Sequence, residues 1–293
     1  MQNILVESGT NELEIVIFKV GDSVIGVNVA KVESIITYQR ITEIPNSNKN
    51  VKGIINHRGR VIPVLNLITA LKQNCLKNSK DRLLILININ NSNFAVEVSS
   101  VIGIRRLSWA EIETPSSILL SDNETPVTGI VKLNQDGIIL MLDFEKLLAD
   151  IDPSLALKIS NETKGLEGKK LVIAEDSTFL LKVVNESLLK AGATVEKFSN
   201  GKDTLDYLQT CSTDEIHCVI TDIEMPIMDG LTLTKRIKSD RKLKEIPVII
   251  FSSIANEGLK HKSLSVGADA QITKPEIDKL VELVKTITRK VIF

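Results

Sequence analysis

The chain has 293 residues, 36 Lys and Arg against 37 Asp and Glu, 43% hydrophobic and 3% aromatic. At roughly 100–200 residues per domain this is enough for two domains, each able to bury a core without disulfide help. Charge is even along the chain, with 17 basic and 18 acidic side chains over residues 1–166 and 19 of each beyond, so bulk charge argues against nucleic acid as a partner.

The three cysteines, Cys75, Cys211 and Cys218, match neither zinc-ligand nor redox CxxC spacing, which excludes a disulfide framework. Glu7, Glu12 and Glu14 interrupt the N-terminal apolar residues, and no Lys or Arg precedes them, unlike a signal peptide. No run approaches the roughly 18 apolar residues of a membrane helix. The expectation is a soluble cytoplasmic protein with no direct membrane insertion.

In chain order, the first half predicts short strands over residues 14–20, 24–29, 53–56, 61–65, 83–89 and 94–98. Turn signals lie between them at Gly21-Asp22, Pro45-Asn46, Arg58-Gly59 and Asn90-Asn91. Many short strands at such intervals favour an all-β barrel or sandwich. A helix is predicted after Asp143, where Phe144, Leu147, Leu148 and Ile151 share one face. The expected boundaries are a first domain over 1–152, a polar linker over 153–168 and a second domain over 169–293.

Beyond the linker, apolar strands at 170–174, 194–198, 218–221, 247–251 and 269–272 each precede a helical stretch. Five βα units predict an α/β doubly wound, five-stranded parallel sheet. Ligand sites in such sheets lie beyond the carboxyl ends of the strands. There the sequence places Glu175-Asp176, Asp222, Ser252-Ser253 and Lys274-Pro275. Three carboxylates on one edge call for a hard divalent cation with oxygen ligands, and Mg2+ fits because it leaves a position open for a phosphate oxygen. A lysine and a hydroxyl beside it complete a clamp for a phosphoryl group. His57, His217 and His261 are too isolated for metal ligation, and Gly165-x-x-Gly168-Lys169 is too short for a phosphate-binding loop.

On residues 171–177, 221–230, Ser252 and Lys274-Pro275, the second half resembles the response-regulator receiver family and is similar to CheY. The resemblance implies that Asp222 accepts a phosphoryl group from a histidine kinase. It further implies that Asp176, Asp222, the backbone carbonyl of Glu224 and, through water, Glu175 hold Mg2+. Lys274 would bind a phosphoryl oxygen, and Ser252 would hydrogen-bond the phosphate. Two departures stand out. Gln271 occupies the position of the family's aromatic switch residue, and Glu224 with Ile254 at the water-gating positions predicts slow self-dephosphorylation.

The first half offers no catalytic set, and Trp109 reads as a core or linker anchor as readily as a contact residue. Phe18-x-Val20-Gly21-Asp22, residues 51–67 with Arg58-Gly59-x-x-Ile62-Pro63-Val64, and residues 129–133 resemble the CheW family of chemotaxis scaffolds. That implies two small five-stranded SH3-like barrels binding the cytoplasmic tips of chemoreceptors and the histidine kinase CheA. Arg58 is the candidate for partner contact, since a guanidinium at a loop tip can meet carboxylates bidentately; equally, Arg58-Gly59 can simply build a turn. Asn66 replaces an acid often found there in the family.

Scaffold followed by receiver resembles a chemotaxis coupling protein, recruited to membrane-associated receptor arrays and regulated through Asp222, for adaptation. It would be an acceptor rather than an enzyme. With no helix-turn-helix after the receiver, the output is expected in the scaffold domain or the array. A second reading makes the receiver a phosphate sink that the scaffold only tethers. A hydrolase of the haloacid dehalogenase type is disfavoured, because its Asp-x-Asp pair follows the first strand whereas Asp222-Ile223-Glu224 follows the third.

Overall fold

A computed structural model describes residues 11–73, 82–90, 92–115, 126–133, 137–151, 164–212, 215–253 and 257–289. The chain forms two compact units, Leu13–Leu107 with Glu113–Pro153, and Ser154–Phe293 with Met1–Glu12 and Ser108–Ile112.

The β-rich unit begins with β1 (Glu12–Val20) and β2 (Ser23–Asn28), paired antiparallel from Ile15↔Asn28 to Val20↔Ser23. The two-residue turn between them puts Gly21 at φ 59°, the positive φ that a primed hairpin turn requires there. The chain continues through β3 (Val32–Thr37), β4 (Val51–His57), β5 (Arg60–Leu65), the one-turn α1 (Leu67–Ala70), β6 (Leu83–Ile89), β7 (Ser92–Val98), β8 (Ser100–Ser108), β9 (Ile112–Glu113), β10 (Val127–Lys132), β11 (Ile138–Leu142) and α2 (Phe144–Ile151). One sheet runs β3-β6-β7-β5-β4, and the other runs β8-β1-β2-β11-β10-β9, its sixth strand being only two residues long.

Phe18, Ile25, Ile85, Ile87, Phe94, Val96 and Phe144 form one core fed by both sheets and by α2, with the Phe94 and Phe144 rings 5.8 Å apart. A second, smaller cluster joins Ile55, Ile62, Val64, Leu84, Leu86 and Ala95 on the other face of the five-stranded sheet. Strands β3, β8, β9, β10 and β11 fall outside the predicted runs. β3 shows why: its residues alternate between half-buried and exposed, so Glu33 and Ser34 interrupt the apolar signal of a strand that uses one face.

The α/β unit contains β12 (Lys170–Ala174), α3 (Thr178–Lys190), β13 (Thr194–Phe198), α4 (Gly201–Thr210), β14 (Ile216–Thr221), α5 (Gly230–Ser239), β15 (Val248–Ser252), α6 (Glu257–Ser265), β16 (Ala270–Thr273) and α7 (Ile277–Arg289). The sheet order is β13-β12-β14-β15-β16, and its four neighbouring pairs are all parallel. Buried Leu171, Ile173, Cys218, Ile220, Ile249 and Phe251 meet α3 and α7 on one face. Val172, Ala174, Val219 and Val248 meet α4 and α5 on the other. A strand covered on both faces must be apolar throughout, which is why these runs were legible. Leu166, inside the stretch read as linker, is fully buried in the first of these cores, and its N–H donates to the Ala191 carbonyl at 2.9 Å.

The helices start where side-chain caps satisfy their free N–H groups. Ser177 accepts from Leu180, Asn200 from Asp203 and Asp229 from Thr232. Among the described residues no helix is long and apolar enough to cross a membrane.

Candidate functional site

Parallel register brings the strand ends to one edge of the α/β sheet: Ala174 sits beside Thr221, and Ser252 beside Thr273. The residues that follow, Glu175, Asp176, Asp222, Ser253 and Lys274, therefore converge, although up to 99 positions separate them in sequence. Backbone bonds fix the approach. Asp222 N–H donates to the Ala174 carbonyl at 2.9 Å, Glu175 N–H to Phe198 at 3.0 Å, and Lys274 N–H to Ser252 at 2.9 Å.

The Lys274 ammonium lies 2.8 Å from Glu175 Oε2 and 2.8 Å from Asp222 Oδ2. It also donates to Glu175 Oε1 at 3.0 Å, and its side chain is 1% exposed. Asp222 Oδ1 accepts from the N–H of Ile223 at 2.6 Å. Glu175, Asp176 and Asp222 each present a carboxylate oxygen within 4.8 Å of the other two, with Asp176 the most exposed of the three. Carboxylates this close repel, and a hard cation with oxygen ligands is what such a donor set suits. The peptide Lys274-Pro275 is cis.

Space around Asp222 is closed by glycine. A Cβ at Gly230, the first residue of α5, would fall 1.8 Å from the Asp222 carbonyl oxygen. The Gly230 N–H donates instead to the Ile223 carbonyl at 3.0 Å.

Of the residues singled out from sequence, Glu175, Asp176, Asp222 and Lys274 meet at one place. Ser252 is fully buried at the end of β15, and Glu224 is buried two residues after Asp222. Gln271 lies in β16, paired with Ile250, and its buried Oε1 has no hydrogen-bond partner. Ile254 lies outside the described residues. Arg58 is at the exposed tip of the β4–β5 hairpin, far in sequence from the acidic cluster. With φ 54° at Arg58 and 81° at Gly59 it builds the turn. Asn66, read as a departure from a family pattern, caps α1 by accepting from Thr69 N–H. His217 Nδ1 faces the backbone N–H of Lys170 at 3.2 Å, a structural role.

Sequence reasoning missed two features. Glu97, in an apolar strand, is buried and paired with both Lys52 and Arg82; its being an acid inside a strand was the available signal. Asn11 holds the backbone of residues 227 and 229 through its amide, and its position before β1 carried no signal.

Residues 14–152 match the CheW-like domain family, and residues 171–285 match the response regulator receiver domain family. Chemotaxis protein CheV3 of Helicobacter pylori is 28% identical over 96% of this chain and 96% of its own length. Chemotaxis protein CheV2 of the same organism is 29% identical over 89% of this chain and 88% of its own. The scaffolding protein TtCheW from Thermoanaerobacter tengcongensis aligns with 48% of this chain and 88% of its own, at 25% identity and a TM-score of 0.42. The chain therefore carries a CheW-like domain followed by a response regulator receiver domain, the two matches together spanning most of its length. Within that class it is a homologue of the CheV proteins along nearly its full length.

Proposed function

We propose that this protein couples the cytoplasmic tips of chemoreceptors to the histidine kinase CheA and is regulated by phosphorylation of Asp222, for adaptation. The observation that carries the reading is the Lys274 ammonium held 2.8 Å from Asp222 Oδ2 beside the Glu175–Asp176 acid pair. In the transfer, an Asp222 carboxylate oxygen attacks the phosphorus of a phosphohistidine. A P–O bond forms, the P–N bond breaks, and the imidazole nitrogen leaves with the electron pair. Lys274 stands where it can exchange a carboxylate oxygen for a phosphoryl oxygen. The buried Ser252 hydroxyl, across from Thr273, supplies a further hydrogen bond to that group. Positioning and charge account for the catalysis.

Mg2+ fits the donor set, with Asp176, Asp222 and the carbonyl of Glu224 as direct ligands and Glu175 acting through water. When bound it neutralises charge on the transferring phosphoryl group. Because the group is accepted and not turned over, the protein is an acceptor with at most slow self-dephosphorylation.

Exposed apolar residues support docking by the CheW-like domain, Val61 next to the Arg58–Gly59 turn and Ile102 and Ile104 on β8. Isolated exposed side chains are ordinary, but several on one small domain suit a binding surface. Recruitment to membrane-associated arrays would follow from that docking, with Arg58 as the proposed polar contact.

The test is phosphoryl transfer from autophosphorylated CheA with Mg2+, followed on the wild type and on D222N. Label on the wild type alone is the expected result; equal labelling of D222N, or none on either, overturns the reading. For docking, R58E and V61E should each weaken co-sedimentation with receptor–kinase arrays, and unchanged sedimentation of both would remove this surface from the proposal.

A further inference from the structure

The loop from Ile223 to Asp229 follows the acceptor and ends at the cap of α5, and each of its ends is tied. At the near end, Ile223 N–H donates to Asp222 Oδ1 at 2.6 Å. At the far end a single side chain makes two bonds to the backbone: Asn11 Nδ2 donates to the Ile227 carbonyl at 3.1 Å, and Asp229 N–H donates to Asn11 Oδ1 at 3.0 Å. Next to this, Ile227 N–H donates to the Trp109 carbonyl at 2.8 Å. Trp109 N–H and the Ser108 hydroxyl in turn both donate to the Asn11 carbonyl, at 2.8 and 3.1 Å. Asn11 and residues 108–112 belong to the same compact unit as the receiver strands.

This arrangement holds the loop in a conformation it would not choose. Ile227 has φ 68°, a left-handed geometry that a β-branched side chain avoids and that persists only where surrounding bonds impose it. Asn11 has φ 60°, which asparagine tolerates. In that shape Asn11 partners both the Ile227 carbonyl and the Asp229 N–H. The loop also carries Glu224, whose carbonyl is proposed above as a metal ligand, so its far anchor bears on the metal geometry.

We propose that Asn11 is a positioning residue for the acceptor loop: its amide, together with the Trp109 carbonyl, sets the loop that places Glu224 beside Asp222 and reports the state of Asp222 back to Asn11 and Trp109. The proposal rests on the reading of Asp222 as acceptor. Phosphorylating Asp222 turns its carboxylate into an acyl phosphate and so changes the group that Ile223 N–H donates to, and the near anchor changes when the site is loaded. The far anchor then receives the displacement through a short loop pinned by backbone bonds. Asn11 directly precedes β1 and Trp109 directly follows β8, and β1 and β8 are neighbours in the six-stranded sheet. By covalent continuity, the loop is thus linked to two adjacent strands of the CheW-like domain. A shift there can alter coupling only if the two states differ in these contacts, and the anchors are contacts able to differ.

The test uses the full chain as wild type, N11G and N11D. N11G tolerates the backbone geometry but lacks the amide; N11D keeps the acceptor for Asp229 N–H and loses the donor to Ile227. In the resting protein, hydrogen exchange at the amides of Ile227 and Asp229 should be at least tenfold faster in N11G, with Asp229 retaining protection in N11D. Calorimetric titration with Mg2+ alone should show weaker binding by severalfold in N11G. Trp109, the single tryptophan, should change its emission when Mg2+ and beryllium fluoride are added to the wild type, and should not in N11G. Unchanged exchange and unchanged Mg2+ affinity in N11G overturn the proposal. So does faster exchange spread through the core amides of β12 and β14, which would make Asn11 a general stabiliser. Failure of the acceptor reading is separate: it appears as no CheA-dependent label on the wild type, whereas the exchange measurement needs no phosphorylation.

Discussion

Lys274 and Asp222 form a 2.8 Å ion pair in which neither side chain is more than 6% exposed. The same ammonium holds Glu175, so one lysine separates two buried carboxylates. Removing one partner of a buried pair costs about 3–5 kcal/mol because the other charge is left without compensation. K274A should therefore lower the urea midpoint of the receiver, and added Mg2+ should restore part of the loss. Phosphoryl transfer to K274A should fall by about 10²–10³-fold, the effect of losing one preorganised donor to a developing oxyanion. K274R should not rescue transfer, since a planar fork cannot occupy the place of a compact ammonium. A K274A protein labelled at the wild-type rate would show that Lys274 has only a structural role.

Gly230 tests how tightly Asp222 is boxed in. The 1.8 Å gap between a Cβ there and the Asp222 carbonyl oxygen is backbone against backbone, so no rotamer can relieve it. G230A should displace Asp222, abolish labelling and destabilise the receiver by about 1–3 kcal/mol or more. Gly59 is the contrast: a Cβ meets nothing within 4 Å, and only its φ of 81° is at stake. G59A should cost about 1 kcal/mol and leave labelling intact. Urea denaturation of the two variants, with labelling measured in parallel, separates the two effects.

These positions also show which parts of the molecule could be read in advance. The acid pair and Asp222 were legible because each directly follows an apolar strand buried on both faces, whereas Lys274 follows the half-buried β16; parallel topology sends all these positions to one edge. The β-rich half was legible where apolar residues dominate a strand, as at Leu83–Ile89. β8 escaped because Arg105 and Arg106 stand in a strand that is only partly buried. Asn66 looked like a lost acid because cap geometry depends on where a one-turn helix begins, which periodicity does not resolve. The bonds of Asn11 to residues 227 and 229 span more than 200 positions and use backbone atoms, which leave no trace in residue type.

The cap at Asp229 gives a pH dependence with a definite sign. Burial raises its carboxyl pKa above the ordinary 3.8, while the N–H and hydroxyl of Thr232 pull the other way. A carboxyl that binds its proton more tightly when folded adds most stability at low pH. That contribution falls as pH rises from 3.8 through the folded value, and at neutral pH the buried charge is a net cost. D229N keeps an oxygen for the Thr232 N–H and removes the charge. It should flatten this part of the stability profile and be at least as stable as the wild type at about pH 7. D229A also loses the cap and should be about 1 kcal/mol less stable than D229N. Urea midpoints across the acid range decide it; a D229N variant with the wild-type slope would assign the dependence to another group.

In the CheW-like domain, the Glu97 carboxylate is 3% exposed and meets Lys52 through one oxygen and Arg82 through the other, at 3.0 Å for the arginine. The two cations are about one-third exposed, so they can turn to water when Glu97 is removed, whereas Glu97 cannot when they are removed. E97A should then cost only about 1–3 kcal/mol. Arg82 also lies 4.2 Å over the Tyr38 ring, a cation–π contact of about 0.5–1 kcal/mol at such a site, so R82A should be more damaging than K52A. The double variant K52A/R82A should lose more than the sum of the singles, because only then does the buried carboxylate lose both of these cations. A double-mutant cycle read by urea denaturation checks this, and strict additivity would mean that Glu97 finds another donor. Since Lys52 sits in β4, Arg82 just before β6 and Glu97 in β7, the coupling energy measures how firmly one carboxylate ties three strands of the five-stranded sheet that also carries Arg58 and Val61.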